Sequence, residues 1–445
     1  MRVASRDFVY VRELSEHVGE RVVLQGWVAG KRSSGKVRFL VLRDGSGWLQ
    51  CVAFVKDVPP EVFERMDRIP LESSVRLEGT VRKDERAPGG YELSLHDLAL
   101  LHEAAEYPVQ PKEHGVEFLF DHRHLYLRSR TPHAVLRVRN EVLQACRDFF
   151  YGRHFVLIDS PILTPAACEG TSTLFETDYF DAKAYLSQSG QLYLEPAAMA
   201  FGRVYCLGPT FRAEKSKTRR HLTEFWMIEP EVAFLELPGL LELAEEFVSY
   251  VVGRALDRCR EDLKFLERDV TRLQRVTPPF PRLPYDQAAE ILLRPEAQAR
   301  MKEAGAPPFE RGNDFGSLDE TILTEHVDRP VMVTHWPAEI KAFYMQPDPG
   351  DPSKALCVDV LAPEGYGEII GGSQRIHDHD LLLRRIQEHG LPQEAFQWYL
   401  DIRKYGTVPH SGFGMGIERC VTWICGIPHL REAIPYPRQI HRLYP

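Results

Sequence analysis

The first hundred residues alternate apolar and polar side chains in short runs, and this pattern restricts them to β-structure. Runs such as VVLQGWV, VRFLVLRD and SVRLEGTVR have the two-residue period of half-buried strands, with turn residues between them. Residues 8–102 hold about five such runs, which is enough for a small barrel. A single helix is predicted at residues 60–67.

The rest of the chain predicts a second, mixed domain. Residues 103–115 contain two prolines and no hydrophobic period, so they predict a linker between domains at 1–102 and 116–445. Thr131 as N-cap and Pro132 as the first helical residue predict a helix that ends at Gly152. Its buried face is expected to comprise Val135, Val138, Val142, Cys146 and Phe149.

Strand patterns after this helix lack regular helical crossovers. RVYCLGPTFRAE and FWMIEPEVAF read as strands, and residues 238–257 read as a helix. An α+β domain with an antiparallel sheet is therefore predicted, rather than a doubly wound one.

Length and composition indicate the number of domains and the cellular location of the protein. A chain of 445 residues with 44% hydrophobic content predicts two or three domains. No segment approaches the roughly 18 apolar residues of a membrane span, and the N-terminus lacks the apolar stretch of a signal peptide. We therefore expect a cytoplasmic protein with no membrane partner. Eight scattered cysteines without a CxxC pair predict neither disulfides nor zinc.

Charge gives an ambiguous indication of partners. The net charge of −9 argues against nucleic acid, because phosphate binding needs a local excess of Lys and Arg. Five basic residues nevertheless lie within positions 31–43. They form either a solvated face or a nucleic-acid patch, and the members are Lys31, Arg32, Lys36, Arg38 and Arg43.

Three separated segments carry the chemistry. The P-loop motif GxxxxGK[ST] is absent, and the Gly-rich segment GFGMG alone is as compatible with packing as with ligand binding. It opens GFGMGIER at residues 412–419, however. Upstream lie the long helix followed by a strand and Pro161, and then FRAE at residues 211–214 with a basic loop returning as HLTEF. In this order, the segments resemble the three signature motifs of class II aminoacyl-tRNA synthetases.

The resemblance implies an ATP site. It assigns Arg212 to the α-phosphate and the attacking carboxylate, where a planar bidentate cation suits the charge of the transition state. Glu214 would meet the adenine amino group, Phe225 and Arg419 its two faces, and His221 the γ-phosphate. The competing interpretation of Phe225 and Arg419 is a core residue and a surface ion pair. The implied ATP site consists of Arg212, Glu214, His221, Phe225, Glu368 and Arg419, of which Arg212, Glu368 and Arg419 are catalytic.

The resemblance also implies a metal, an amino-acid pocket and a dimer. Mg²⁺ would bind Asp359 and Glu368 in CVDVLAPEGYGEIIGGSQRIH, although each in isolation reads as an ordinary surface acid. Pro161 belongs to the motif that forms the homodimer interface in this family. The implied amino-acid site consists of Glu169, Gln191, Arg212, Glu229, Glu231 and Arg375.

The predicted barrel resembles the anticodon-binding OB-fold of the aspartyl, asparaginyl and lysyl branch. The resemblance places Arg32, Phe39, Gln50 and Glu92 at the anticodon. An exposed aromatic can stack on an unpaired base while adjacent polar groups read its edge. The alternative for Phe39 is barrel core.

Within this branch, the segment at residues 188–195 favours asparagine over aspartate. Aspartyl members carry QSPQxxK, whose lysine pairs with the second carboxylate of the substrate. Here the segment reads QSGQLYLE, with Leu194 at the lysine position. A neutral amide could instead donate to Glu229 or Glu231. The expected substrates are therefore L-asparagine, ATP and tRNA(Asn).

Three other functions are compatible with parts of this sequence pattern. An aspartyl enzyme of relaxed tRNA specificity is opposed by the missing lysine, and a tRNA-independent asparagine synthetase by the presence of the barrel. A non-catalytic paralogue is opposed by the retained arginines Arg212, Arg375 and Arg419. The resemblance is weakest over residues 260–310, an apparent insertion.

Overall fold

A computed structural model of the protein describes residues 7–165, 174–215 and 218–445. The chain separates into two compact units, Met1–Val116 and Glu117–Pro445. Within the described residues, no helix is long and apolar enough to cross a membrane.

The first unit is a closed five-stranded barrel with strand order β1-β2-β3-β5-β4. Its core is formed by the apolar residues of the alternating runs, among them Leu24, Leu40, Leu77 and Leu93. The predicted barrel and its helix are confirmed. The elements are β1 (Arg21–Ser34), β2 (Val37–Arg43), β3 (Trp48–Phe54), α1 (Pro60–Arg68), β4 (Ser74–Lys83) and β5 (Tyr91–His102).

Much of the basic cluster in this unit is structural. Arg43 is buried and makes two hydrogen bonds of 2.7 Å to Glu72. Lys31 donates to the carbonyl oxygens of Asp67 and Ile69 at the end of α1, and Arg38 pairs with the Asp67 carboxylate at 2.6 Å. The interpretation as a solvated face holds for only part of the cluster: Lys31, Arg32 and Lys36 are exposed, whereas Arg43 is buried. Lys31 and Arg38 also hold the end of α1 against the barrel.

The second unit begins with three helices and a small three-stranded sheet of order β7-β9-β8. Its first elements are α2 (Val116–Asp121), α3 (Arg123–Tyr126), α4 (Arg130–Gly152), β6 (Val156–Leu157), β7 (Leu163–Thr164), β8 (Glu176–Tyr179), β9 (Ala182–Leu186) and α5 (Gln191–Phe201).

An eight-stranded sheet of order β12-β13-β14-β15-β16-β11-β10-β6 forms the centre of this unit. The β12–β13 and β10–β6 pairs are parallel, and the other pairs are antiparallel. This confirms the predicted α+β class. The later elements are β10 (Arg203–Phe211), β11 (Glu224–Ala233), α6 (Leu237–Arg258), α7 (Arg260–Phe265), β12 (Arg282–Pro284), α8 (Tyr285–Leu292), α9 (Pro295–Glu303), α10 (Ser317–Thr324), β13 (Val331–Pro337), β14 (Lys354–Ala362), β15 (Gly367–Gln374), α11 (His379–Glu388), α12 (Gln397–Asp401), β16 (His410–Gly416) and α13 (Ile417–Cys425).

The long helix α4 packs on this sheet together with α6 and α13. All five residues of its predicted apolar stripe are buried, and Phe150 contacts Phe247 with ring centroids 5.0 Å apart. The predicted N-cap at Thr131 is wrong, since the helix begins at Arg130 after Ser129. Pro132 lies inside the first turn, where its missing N–H does not interrupt a helical hydrogen bond.

The segment at residues 260–310 is integrated into the second unit. Tyr285 and Met301 lie in a core cluster with Trp336, and β12 extends the central sheet through its pairing with β13. This region thus packs against the central sheet and contributes a strand to it, and the chain continues from it into α10.

A buried ion pair joins two helices and the sheet. Arg139 in α4 pairs with Glu418 in α13 at 2.7 Å, and the other carboxylate oxygen of Glu418 accepts the backbone N–H of Trp226 in β11 at 3.0 Å. Both side chains are buried, so water cannot take the place of either partner if the other is removed.

We expect Glu418→Ala to lower the free energy of unfolding of the second unit by about 3–5 kcal/mol, because it leaves Arg139 buried without its counterion. Urea denaturation followed by circular dichroism measures this change. Glu388→Ala is the control, since Glu388 is an exposed partner of Arg385 and its loss should cost under about 1 kcal/mol. Equal effects of both substitutions would contradict the importance of the buried pair.

Candidate active site

The central strands bring the second and third sequence motifs to one cleft. β10 and β11 pair from Arg203↔Val232 to Phe211↔Glu224, so the basic loop between them lies at one end of the sheet. β16 pairs with β11 on the other side, and α13 follows it at the same end. A pocket forms there between the loop, β15 and α13. Its lining includes all six residues of the expected ATP site: Arg212, Glu214, His221, Phe225, Glu368 and Arg419.

An aromatic ring and two arginines of this pocket contact neighbouring side chains. The guanidinium carbon of Arg212 lies 5.5 Å from the centre of the Phe225 ring. Arg419 donates to the carbonyl of Glu368 at 2.8 Å and to its carboxylate at 3.0 Å. Phe225 is half-buried and belongs to the pocket wall rather than to the main core.

His221 lies between an acid and several arginines. Its Nε2 is 3.4 Å from the Glu214 carboxylate, and its Nδ1 contacts the hydroxyl of Thr218. Burial lowers the pKa of His221, and Arg419 and Arg212 lower it further, although Glu214 opposes them. These effects favour the neutral form of the ring, which can still donate one hydrogen bond to an anion.

Two carboxylates converge beside the pocket. Asp359 in β14 pairs with Lys341 through Oδ2 at 2.7 Å, while Glu368 in β15 pairs with Arg419 through Oε2. The other oxygens face Gly371, where an added Cβ would lie 2.9 Å from Glu368 Oε1 and 3.8 Å from Asp359 Oδ1. Two oxygens presented on one side of a glycine suit a hard divalent cation.

Opposite pKa shifts accompany this arrangement. Desolvation in the cleft raises the pKa of Asp359, and repulsion from Glu368 adds to the rise although Lys341 opposes it. Desolvation acts against ionisation of Glu368 as well, but attraction to Arg419 and Lys341 leaves its pKa below the ordinary value. Like charges that share a site respond in this way, and a cation between them would relieve the repulsion.

A third acid, Glu320 in α10, borders the same cleft. It pairs with Arg220 at 2.6 Å and accepts the backbone N–H of Glu368 at 3.3 Å. Burial and the neighbouring Glu368 raise the pKa of Glu320 to about 7, although Arg220 opposes the rise. The sequence did not predict Glu320, because α10 lies outside the recognised motifs. Arg220 belongs to the basic loop of the second motif, but no role was predicted for it individually.

A second, polar pocket adjoins the first and shares Arg212, Glu368 and Met227 with it. Its wall includes Gln191, Glu229 and Arg375 from the expected amino-acid site, together with Ser189 and Tyr344, which the sequence analysis did not assign.

Glu231 lies behind the second pocket. Both of its carboxylate oxygens accept from Arg375, at 3.1 and 3.0 Å, and its side chain is 1% exposed. Gly412 makes this position possible, since a Cβ there would lie 2.0 Å from Glu231 Oε2. The expected residue Glu169 lies outside the described residues.

A buried polar network supports the second pocket, and sequence reasoning missed it. Glu195 accepts from Gln191 at 3.1 Å, Tyr399 at 2.6 Å and His410 at 3.0 Å, and it pairs with Arg403. Attraction to Arg403 and bonding to His410 overcome desolvation and lower the pKa of Glu195. Because Gln191 donates its amide N–H to Glu195, its carbonyl oxygen remains for the pocket.

Leu194 does not line either pocket. It is fully buried in a small apolar cluster with Ala198, Val204 and Cys206. Leu194, which stands where aspartyl members have a lysine, therefore lies behind the pocket wall and is not part of it.

One face of the barrel collects the four expected anticodon residues. Arg32 and Phe39 are cross-strand partners, and the Arg32 guanidinium lies 4.1 Å over the Phe39 ring. Gln50 accepts from Arg32 at 3.2 Å and donates to Glu92 at 3.4 Å. Phe39 is only half-buried and is absent from the barrel core, so the core interpretation of this residue is wrong.

Comparison with known proteins identifies the class. Residues 115–440 match the family of class II tRNA synthetases (D, K and N), and residues 22–101 match the OB-fold nucleic acid binding domain. The chain therefore belongs to the class II tRNA synthetases of the D, K and N family.

Individual relatives narrow the likeness to one branch. The asparagine–tRNA ligases of Chloroflexus aurantiacus and Sorangium cellulosum are each 58% identical over 436 residues, covering 98% and 97% of this chain and 98% of each relative. A crystal structure of asparaginyl-tRNA synthetase from Pyrococcus horikoshii complexed with asparaginyl-adenylate is 45% identical, with a TM-score of 0.92. That likeness covers 98% of this chain and 99% of that one.

We expect Arg419→Ala to raise the Kd for ATP at least about tenfold, because it removes a cation from the pocket wall and leaves Glu368 without its partner. Isothermal titration of ATP into the folded variant measures this change. Arg384→Ala is a control, since Arg384 is exposed on α11 and lines neither pocket. An unaltered Kd in Arg419→Ala would contradict the assignment of this pocket to ATP.

Proposed function

We infer that the protein is an asparagine–tRNA ligase. It activates L-asparagine with ATP to asparaginyl-adenylate and transfers the amino acid to tRNA(Asn), releasing pyrophosphate and AMP. The observation that carries this conclusion is the junction of two pockets at Arg212. One has an aromatic ring and arginines, and the other has the polar groups for an amino acid.

The junction defines the activation step. An oxygen of the asparagine carboxylate attacks the α-phosphorus of ATP, and the bond from that phosphorus to the pyrophosphate breaks. Arg212 borders both reactants, so its guanidinium can bind the carboxylate and the α-phosphate together and stabilise the added charge. Positioning and electrostatics supply the catalysis, and no covalent enzyme intermediate is needed.

The remaining ATP contacts are assigned by position in the first pocket. Phe225 and Arg419 would sandwich the adenine. Glu214 would accept a hydrogen bond from the adenine amino group, and His221 would donate one to the γ-phosphate. Asp359 and Glu368 would hold Mg²⁺ through the oxygens that face Gly371. When bound, the ion neutralises the phosphates and helps pyrophosphate to leave.

Glu229 is the proposed acceptor for the asparagine amide, because it lines the second pocket whereas Glu231 does not. Glu231 instead orients Arg375. Arg375 can donate to the side-chain carbonyl oxygen of the asparagine substrate. Gln191, oriented by Glu195, offers its carbonyl oxygen to the α-ammonium group. Glu169 is retained as a further amino-acid contact from the family resemblance.

The barrel is proposed to bind the anticodon of tRNA(Asn) through Arg32, Phe39, Gln50 and Glu92. A half-buried ring flanked by a guanidinium can stack on one base, and the linked amide and carboxylate can read another. Their hydrogen bonds to one another hold the polar groups in fixed orientations.

A homodimer is proposed from the edge of the central sheet. β6 is an edge strand, and Val156, Leu157, Ile162 and Leu163 around Pro161 are between 39% and 48% exposed. Within the part of the chain that the structure describes, this apolar edge is left exposed, which is typical of a subunit interface. The proposed location is the cytoplasm, where ATP and tRNA are available.

We expect the enzyme to favour asparagine over aspartate by about 100-fold or more in kcat/KM. The reason is that an aspartate carboxylate would meet Glu229, and an imperfectly paired buried charge costs several kcal/mol. ATP–pyrophosphate exchange with each amino acid measures the ratio. Comparable values would favour an aspartyl-tRNA synthetase of relaxed tRNA specificity instead.

We expect Phe39→Ala to lower kcat/KM for tRNA by about tenfold or more, since base stacking contributes roughly 1–3 kcal/mol. Aminoacylation assays measure the loss. The tRNA-free exchange reaction should stay near wild type, and Phe39→Tyr should retain most tRNA charging. Parallel losses in both reactions would instead show that Phe39 supports the fold.

A further inference from the structure

The Glu229 carboxylate is held by three donors. Glu229 lies in β11 directly opposite Cys206 in β10, and its side chain borders the second pocket. One oxygen accepts from the hydroxyl of Ser189. The other accepts from the backbone N–H of Gly190 at 2.9 Å and from the Cys206 thiol at 3.4 Å. The carboxylate therefore cannot rotate without losing several bonds.

Gly190 fits this position because of space rather than backbone conformation. Its φ of −81° and ψ of −10° are accessible to any residue. A Cβ, however, would lie 2.6 Å from the Cys206 sulfur and 2.7 Å from the Ser160 hydroxyl oxygen. The close packing of glycine against the thiol thus brings two donors to one carboxylate oxygen.

The Cys206 sulfur retains its proton in this environment. Burial raises the pKa of the Cys206 thiol well above its ordinary value, and the adjacent Glu229 charge raises it further. On its other side the sulfur packs in the apolar cluster of Leu194, Ala198 and Val204. That cluster contains no cation, so nothing in it neutralises Glu229.

We propose that Ser189, the Gly190 N–H and Cys206 form a three-donor cradle that fixes Glu229 toward the pocket and thereby sets the preference for asparagine over aspartate. This inference rests on the proposed function. The asparagine amide can donate to the fixed carboxylate, whereas an ionised aspartate has no proton to donate and is repelled. Without the cradle, Glu229 could turn away, and the distinction between the two substrates would weaken.

The test compares kcat/KM for asparagine and aspartate in ATP–pyrophosphate exchange. The ratio of the two values is independent of the folded fraction, because both substrates use the same active molecules. We expect Ser189→Ala to lower the ratio about tenfold, and Cys206→Ala to lower it a few-fold, roughly in line with the weaker thiol donor. Cys206→Ser keeps a donor of similar size, so it should retain the wild-type ratio within about twofold.

Cys146→Ala is the matched control, since Cys146 is also a buried thiol but lies in α4, away from both pockets. Its ratio should equal that of the wild type. Unchanged ratios in Ser189→Ala and Cys206→Ala would overturn the cradle, and so would an equal fall in Cys206→Ser and Cys206→Ala, which would indicate packing alone. A wild-type enzyme that prefers aspartate would instead refute the proposed function.

Discussion

Buried charges that pair with one another hold the amino-acid pocket in shape. Glu195 lies between Arg403 and His410, and Glu231 accepts twice from Arg375, all with almost no solvent exposure. An unpaired charge would be energetically costly in this interior, so each side chain keeps the position in which it contacts its ion-pair partner. The network comes from α5, β11, β16 and the segments that follow β15 and α12. The pocket can therefore keep its form only while these elements remain in register.

The same logic explains why the two pockets meet at Arg212. Adenylate formation brings a carboxylate and a triphosphate together, and two anions approach closely only where cations and oriented donors replace water. Arg212 and Arg419 would meet this need in the cleft. Next to them, Asp359, Glu320 and Glu368 form an acidic region that is balanced in part by Lys341, Arg220 and Arg419.

The pocket residues that the sequence predicted are those that belong to local motifs. FRAE, HLTEF and GFGMGIER each place several site residues within one loop or strand end, so a short segment is sufficient to predict them. Glu195 ends the segment QSGQLYLE and Glu320 lies outside the recognised motifs, and in neither case does the local sequence indicate the partner. Glu195 contacts Arg403 more than 200 positions along the chain, and Glu320 contacts Arg220 at a separation of 100. A spacing rule cannot detect contacts of this range.

The sequence by itself determined the strand and helix periods, the barrel, the class of the second unit and the family. Those features depend on side-chain patterns a few residues long. Glu229 and Glu231 are two residues apart in β11 and therefore lie on the same face of the strand. Only the tertiary structure decided that Glu231 lies behind Arg375 while Glu229 borders the pocket. It also decided that Leu194 is packed away from the substrate. Side-chain position at this level depends on which distant elements press against each strand, and that is set by the packing of the whole unit.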